Sequence, residues 1–323
     1  MTQTTARRKR ATLRDVADAT GLSPAGVSYA LRGQRVSAAT EARVRAAAAR
    51  IGFRSDPIAR ALRGGATGLV GMIGGSLDDF WHQEFASELQ RSLRRYGRHM
   101  LLADAGGDPA AEIALAESLS DQRVDGLVAL PVASDSDAWL PIVRTVPTVA
   151  VGAALPAPAG AVRFAAEAGF ELVLDHLREA GHSRILVLSM GTHRPPRRAG
   201  VRTVRCGFAP ADGRAAALRA LDRGDAPTAV FALSDALAYG AYMACADLGL
   251  DIPGDVAVAG FDDHPLSPLV APPLTSVSWD TAAAAAAAAE MLAGAIDDGT
   301  SAGEVVVPPR LRPRRSTAAQ PRA

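Results

Sequence analysis

Residues 12–33 read T12-L-R-D-V-A-D-A-T-G-L-S-P-A-G-V-S-Y-A-L-R-G33. Thr12 is suited to cap a helix over Leu13–Ala19, with Asp15 three residues on as its capping-box partner. Leu13, Val16 and Ala17 then share one face, and Gly21 supplies a permissive turn. Ser23 is a second N-cap, and Pro24 follows at the first helical position, where a missing N–H costs nothing. That helix is expected to reach Leu31 with Val27 and Leu31 inward, and to end at Gly33. Ser37 caps a third helix in which Val44, Ala47, Ala48 and Ile51 recur at helical spacing. Helix, glycine turn, short helix and supporting helix make a helix-turn-helix over 12–54, whose second helix suits a DNA major groove. A plain three-helix bundle with a solvated arginine face fits the same pattern.

Charge separates the two readings. The 323 residues carry 35 Lys+Arg against 34 Asp+Glu, a net of +1. Residues 1–63 alone hold 12 Arg and 1 Lys against 4 acids, a net of +9, and the remainder is −8. A basic end on an acidic body predicts an anionic partner at that end. Arg7, Arg8, Lys9 and Arg10 form a basic tail over 1–11, expected to be disordered. Arg32, Arg35, Arg43, Arg45, Arg50 and Arg54 stud the helical segment. Such side chains supply phosphate contacts.

Residues 55–66 read as a hinge helix and linker. Asp56-Pro57 opens Ile58-Ala-Arg-Ala-Leu62-Arg63, and Gly64-Gly65 closes it. A helix this short is unstable alone in water. Leu62 beside Arg60 and Arg63 suits a wedge between minor-groove base pairs; an ordinary linker is the other reading.

These residues, with V36-S37, I51-G52-F53 and D56-P57-I-A-R-A-L-R63, resemble the LacI/GalR family of transcription regulators. The resemblance runs on to R315-S316-T317. It implies a homodimer on palindromic double-stranded operator DNA and a small-molecule effector, commonly a carbohydrate. The effector domain is expected to resemble periplasmic sugar-binding proteins. DNA contacts are then expected from Thr12, Ser23, Pro24, Ala25, Ser28, Tyr29, Arg32, Arg35 and Arg54, and from Ala61, Leu62 and Arg63 in the hinge. Gly26 and Tyr29 stand where the family often has Thr and Arg.

Beyond Thr67 the pattern turns to βα repeats. Strand-length apolar runs lie at Leu69–Ile73, Met100–Ala103, Gly126–Leu130, Thr148–Val151, Ile185–Leu188, Ala229–Ala232, Val256–Ala259 and Thr275–Ser278. Helical segments lie at Gln83–Tyr96, Pro109–Asp121, Glu167–Ala180, Arg214–Arg223, Ala236–Leu248 and Thr281–Ile296. The expected fold is a small all-α domain followed by two doubly wound parallel α/β subdomains over 67–317, then a tail over 318–323. Ligands in such sheets bind at the carboxyl ends of strands.

The resemblance assigns effector contacts to Asp79 and Phe80 after the first strand, Arg197 in R-x-x-G200, Asp235 after Ser234, and Asp262 in G-F-D-D. An Arg and an Asp facing one cleft suit a polyol, whose hydroxyls both donate and accept. The sequence also departs from the family. Gly152-Ala153 replaces Asp-Arg, Ala165-Ala166 replaces Asp-Asn, and a whole helix is missing near 197–208. That loss predicts an uncovered sheet face. It also keeps open a regulator whose pocket is degenerate and needs no ligand.

Other classes fit poorly. Lys9 is the only lysine, so no phosphate-binding GxxxxGK[ST] exists; there is no GxGxxG or GxSxG, and the six histidines lack metal-ligand spacing. No cofactor or metal is expected, and an enzymatic or sugar-carrying α/β protein is the remote alternative. Cys206 and Cys245 make no disulfide framework. With no secretion signal and no long apolar run, a cytoplasmic protein without a membrane span is expected.

Overall fold

The computed structural model describes residues 11–31, 33, 36–53, 66–132, 134, 136–156, 158–190, 195, 197–222, 226–301 and 303–318. Residues 1–10 of the basic tail, the hinge at 55–65, and Arg32, Arg35 and Arg54 lie outside them. The chain divides into two compact units, residues 1–67 and 68–323.

In the first unit, α1 (Leu13–Thr20), α2 (Pro24–Leu31) and α3 (Ala38–Ile51) pack around Val16, Val27 and Val44, all fully buried. The capping box forms as read from sequence: Asp15 N donates to Thr12 Oγ1 at 3.3 Å, and Thr12 N donates to Asp15 Oδ2 at 2.6 Å. Gly21 ends α1 at φ 68°, left-handed backbone that glycine takes without cost.

The second unit holds two six-stranded sheets. The first is β1 (Leu69–Gly74), β2 (His99–Asp104), β3 (Gly126–Ala129), β4 (Thr148–Gly152), β5 (Gly160–Phe164) and β11 (Glu304–Val307). Its order is β11-β5-β4-β3-β1-β2 and every pairing is parallel. The helices α4 (Phe80–Arg94) and α10 (Thr281–Asp297) cover one face through Phe85, Leu89 and Leu292. On the other face lie α5 (Pro109–Asp121) and α6 (Leu140–Thr145), with Leu119, Trp139 and Ile142.

The second sheet comprises β6 (Ile185–Met190), β7 (Val201–Cys206), β8 (Ala229–Ala232), β9 (Ala257–Asp262), β10 (Thr275–Ser278) and β12 (Arg310–Arg312). It runs β12-β10-β9-β8-β6-β7, parallel except for β12. The helices α8 (Pro210–Leu221) and α9 (Asp235–Leu248) cover one face, and α7 (Ala166–Glu179) covers the other. The chain crosses between the lobes three times: after Phe164, after Ser278 and after Val307.

The α/β architecture read from the apolar runs is present, with added strands at β5, β7, β11 and β12. β6 passes to its parallel neighbour β7 through residues 191–200, where only 195 and 197–200 are described and none of these is helical. β7 adapts by alternation: Val204 and Cys206 pack with the core under α8 and α9, while Thr203 and Arg205 are exposed on the opposite face.

Candidate effector cleft and DNA-reading helix

Within the first unit, α2 presents Ser23, Pro24 and Ala25 exposed and keeps Val27 and Ala30 inside. Ser23 Oγ accepts from Gly26 N at 3.1 Å, so the serine holds the helix start while remaining at the surface. Ser28 and Tyr29 are half-buried on the same helix, and Thr12 is exposed at the start of α1. A helix whose first residues are exposed while its other face is buried in the core is suited to major-groove reading. Ala61, Leu62 and Arg63 lie outside the described residues.

Within the second unit, a cavity of about 520 Å³ opens at the carboxyl ends of both sheets. Gly75, Leu130, Val132 and Gly152 line it from the first lobe, and Met190, Leu233 and Asp262 from the second. Its dominant surface is aromatic. Trp81 and Phe164 meet edge-to-face at 5.0 Å, Phe164 and Trp279 at 5.0 Å, and Trp279 and Phe261 at 5.4 Å. These rings form a wall that follows two of the three crossings between lobes. Phe170 and Phe208 also line the cavity.

The five expected effector residues separate into two groups. Asp79 and Asp262 line the cavity. Asp79 caps α4, its Oδ1 accepting from Trp81 N at 2.9 Å. Asp262 sits at φ 100°, and its Oδ1 accepts from Trp279 Nε1 at 3.2 Å. Burial, with the Asp79 and Asp235 carboxylates nearby, pushes the Asp262 carboxyl well above its usual range.

The other three are placed elsewhere. Phe80 does not line the cavity; its ring packs across the lobe junction on His264 at 4.8 Å and Tyr239 at 6.2 Å. Arg197 is exposed and also off the cavity wall, a few residues before the chain enters β7. Asp235 is 1% exposed and spent on internal bonds. Its Oδ1 accepts from Ser276 Oγ at 2.6 Å, and its Oδ2 accepts from His264 N at 2.7 Å and from Ser267 Oγ. Burial pushes its carboxyl up to about 7.

These bonds give the G-F-D-D run a physical account. A Cβ at Gly260 would collide with the Asp235 carboxylate. Phe261 supplies the wall, Asp262 faces the cavity, and Asp263 pairs with Arg314 at 2.7 Å. Sequence reasoning did not reach the aromatic wall. Its signal was there: Phe164, Phe208, Phe261 and Trp279 each fall at or just beyond the end of a strand, where α/β sheets bind ligands.

Comparison with known proteins identifies the family. Residues 12–56 match the model of bacterial regulatory proteins of the lacI family, and residues 174–317 match a periplasmic binding protein-like domain. The ribose operon repressor of Escherichia coli (strain K12) is 30% identical over 288 residues, covering 83% of this chain and 87% of that one. The HTH-type transcriptional regulator reg1 of Streptomyces lividans is 34% identical, covering 96% and 97%. In fold, the chain is similar to the lac repressor dimer bound to operator and the anti-inducer ONPF, with a TM-score of 0.82 and 23% identity, covering 96% of this chain and 100% of that one. A helix-turn-helix followed by a two-lobed cleft, matched over nearly its whole length by such relatives, makes this chain a member of the lacI family of bacterial regulatory proteins.

Proposed function

We propose that this protein is a cytoplasmic transcriptional repressor, without enzymatic activity, whose hold on operator DNA is set by a small molecule in the cleft of the second unit. The observation that carries the reading is the presence, on one chain, of a basic helix-turn-helix and a separate ligand-sized cavity. The working form is a homodimer that sets two α2 helices in successive major grooves. Phosphate contacts come from Arg32, Arg35 and Arg54, and Leu62, with Ala61 and Arg63 around it, wedges the minor groove. The ligand acts only through a difference in its affinity for the two states of the dimer.

Gel shifts with the duplex upstream of the gene itself test this. Tight, salt-sensitive binding is expected, at least about a thousandfold above random DNA; equal affinity for both duplexes at moderate salt overturns it. Leu62→Ala is expected to lower specific binding far more than non-specific binding, and equal losses on both would remove the wedge role.

A ligand-independent pocket is the second reading, motivated by Gly152-Ala153 and the missing helix. The open 520 Å³ cavity argues against it. Ligand pockets fall in the range of about 300–1,000 Å³.

A further inference from the structure

The polar groups of the cleft are one-sided. Among the described residues that line it, the charged side chains are Asp79, Glu167 and Asp262, and no Arg or Lys is present. His82 also lines the cavity, but its Nδ1 lies 2.6 Å from the Ser76 carbonyl, which ties that nitrogen to the loop behind it. The positions where the family carries Asp-Arg are Gly152-Ala153 here, and Arg197 stands off the wall. Among the described residues the lining therefore offers no cationic donor; Trp81 Nε1, which has no hydrogen-bond partner, is a neutral one.

Asp79 is 5% exposed. Its Oδ1 is committed to the helix cap, and among the described residues nothing donates to Oδ2. Asp262 repeats the pattern, with Oδ1 on Trp279 and, among the described residues, no donor on Oδ2. Neither carboxylate has an ion-pair partner among the described residues. An ionised carboxylate only accepts, and the raised Asp262 carboxyl gives up its proton most readily to an occupant that brings a positive charge, so a cationic donor suits the pair. Two such groups in one desolvated space also repel each other until a positive charge joins them. Beside the two acids the cavity is lined by Trp81, Phe164, Trp279 and Phe261, and the faces of such rings attract cations.

We propose that the ligand of this cleft is an organic ammonium ion, whose N–H groups donate to Asp79 and Asp262 while the aromatic wall holds its body. The inference rests on the cleft being the effector site. It leaves two sources of the shared chemistry, an amino sugar or an aromatic amine, and matched pairs separate them. Isothermal titration of the full-length protein would use D-glucosamine against D-glucose, and tryptamine against tryptophol.

In at least one pair the ammonium member is expected to bind about tenfold or more tighter than its neutral counterpart. The pair in which this happens identifies the source. Asp262→Asn keeps the shape and an acceptor for Trp279, and it is expected to erase that preference in protein with an unchanged circular dichroism spectrum. The wild-type comparison stands even if this variant does not fold. Equal binding within both pairs, including no measurable binding of any member up to millimolar concentration, overturns the proposal, as does an unchanged preference in folded Asp262→Asn. A gel shift on the same preparation keeps the two claims apart: lost operator binding sinks the regulator reading, whereas intact operator binding without charge preference sinks only this one.

Discussion

Asp235 shows how far a single residue can be read from sequence. An acid straight after Ser234, at the end of an apolar run, marks a strand-to-helix corner, and Ser234 does cap α9 there. What the sequence cannot show is that the carboxylate turns inward, because its donors sit far along the chain at His264, Ser267 and Ser276. Asp235→Asn puts an NH2 group among three donors, and is expected to cost about 2 kcal/mol in urea-midpoint measurements. The pH dependence has a definite sign. The folded carboxyl titrates near 7 rather than at its usual 3.8, so the fold favours the protonated form. The penalty is absent below pH 3.8, grows as pH rises, and is complete above about 7. Asp235→Asn is expected to remove this decline. His264 works the opposite way: burial lowers its pKa from 6.5, so its contribution is whole above 6.5 and is lost as pH falls. A variant whose stability still falls between pH 4 and 7 as the wild type does would show that the Asp235 carboxyl is not the group responsible.

Helices with caps and strands with strong apolar runs were the legible elements. α2, α3, α5 and the first turns of α1 begin where Ser, Thr, Asp and Pro announce them. The strands not foreseen lack that contrast. β7 alternates Arg and Thr with Val and Cys, and β11 is a four-residue edge strand with Val305 and Val306 exposed. β7 nevertheless leaves part of its sheet face open, since Thr203 and Arg205 face solvent beside the sheet region α7 covers. Arg205→Leu is expected to change stability by less than about 0.5 kcal/mol. It would extend an apolar patch along an edge strand, so light scattering should show concentration-dependent association absent from the wild type. The opposite response is expected on the other face. A Cβ at Gly240 would strike the Pro210 carbonyl and the Arg214 nitrogen, and one at Gly213 would strike the Leu237 backbone. Because backbone cannot yield as a side-chain tip does, Gly240→Ala is expected to cost about 3 kcal/mol in thermal or urea unfolding. A loss under 1 kcal/mol would mean that α8 and α9 separate freely.

At the scale of the whole molecule, the net charge of +1 conceals a +9 segment and a −8 remainder. The division of the contacts at Thr67–Gly68 follows the same line. The two units differ in more than charge. The first builds its core from short helices around Val16, Val27 and Val44, whereas the second has sheet cores covered by helices on both faces. Small cores bury a smaller share of their surface and are marginal. A calorimetric scan of the full chain is therefore expected to show separate transitions, the first unit melting at the lower temperature. Ligands then act as labels by mass action. Upstream duplex at a hundredfold excess over its Kd adds about 2.7 kcal/mol to whatever unit binds it. DNA is expected to raise the first transition, and the cleft ligand the second. If the ligand regulates operator binding, each must also shift the other's transition when both are present, because the coupling free energy is the same from either side. Two transitions that respond only to their own ligand would leave a DNA reader and a binding domain sharing one chain without communication.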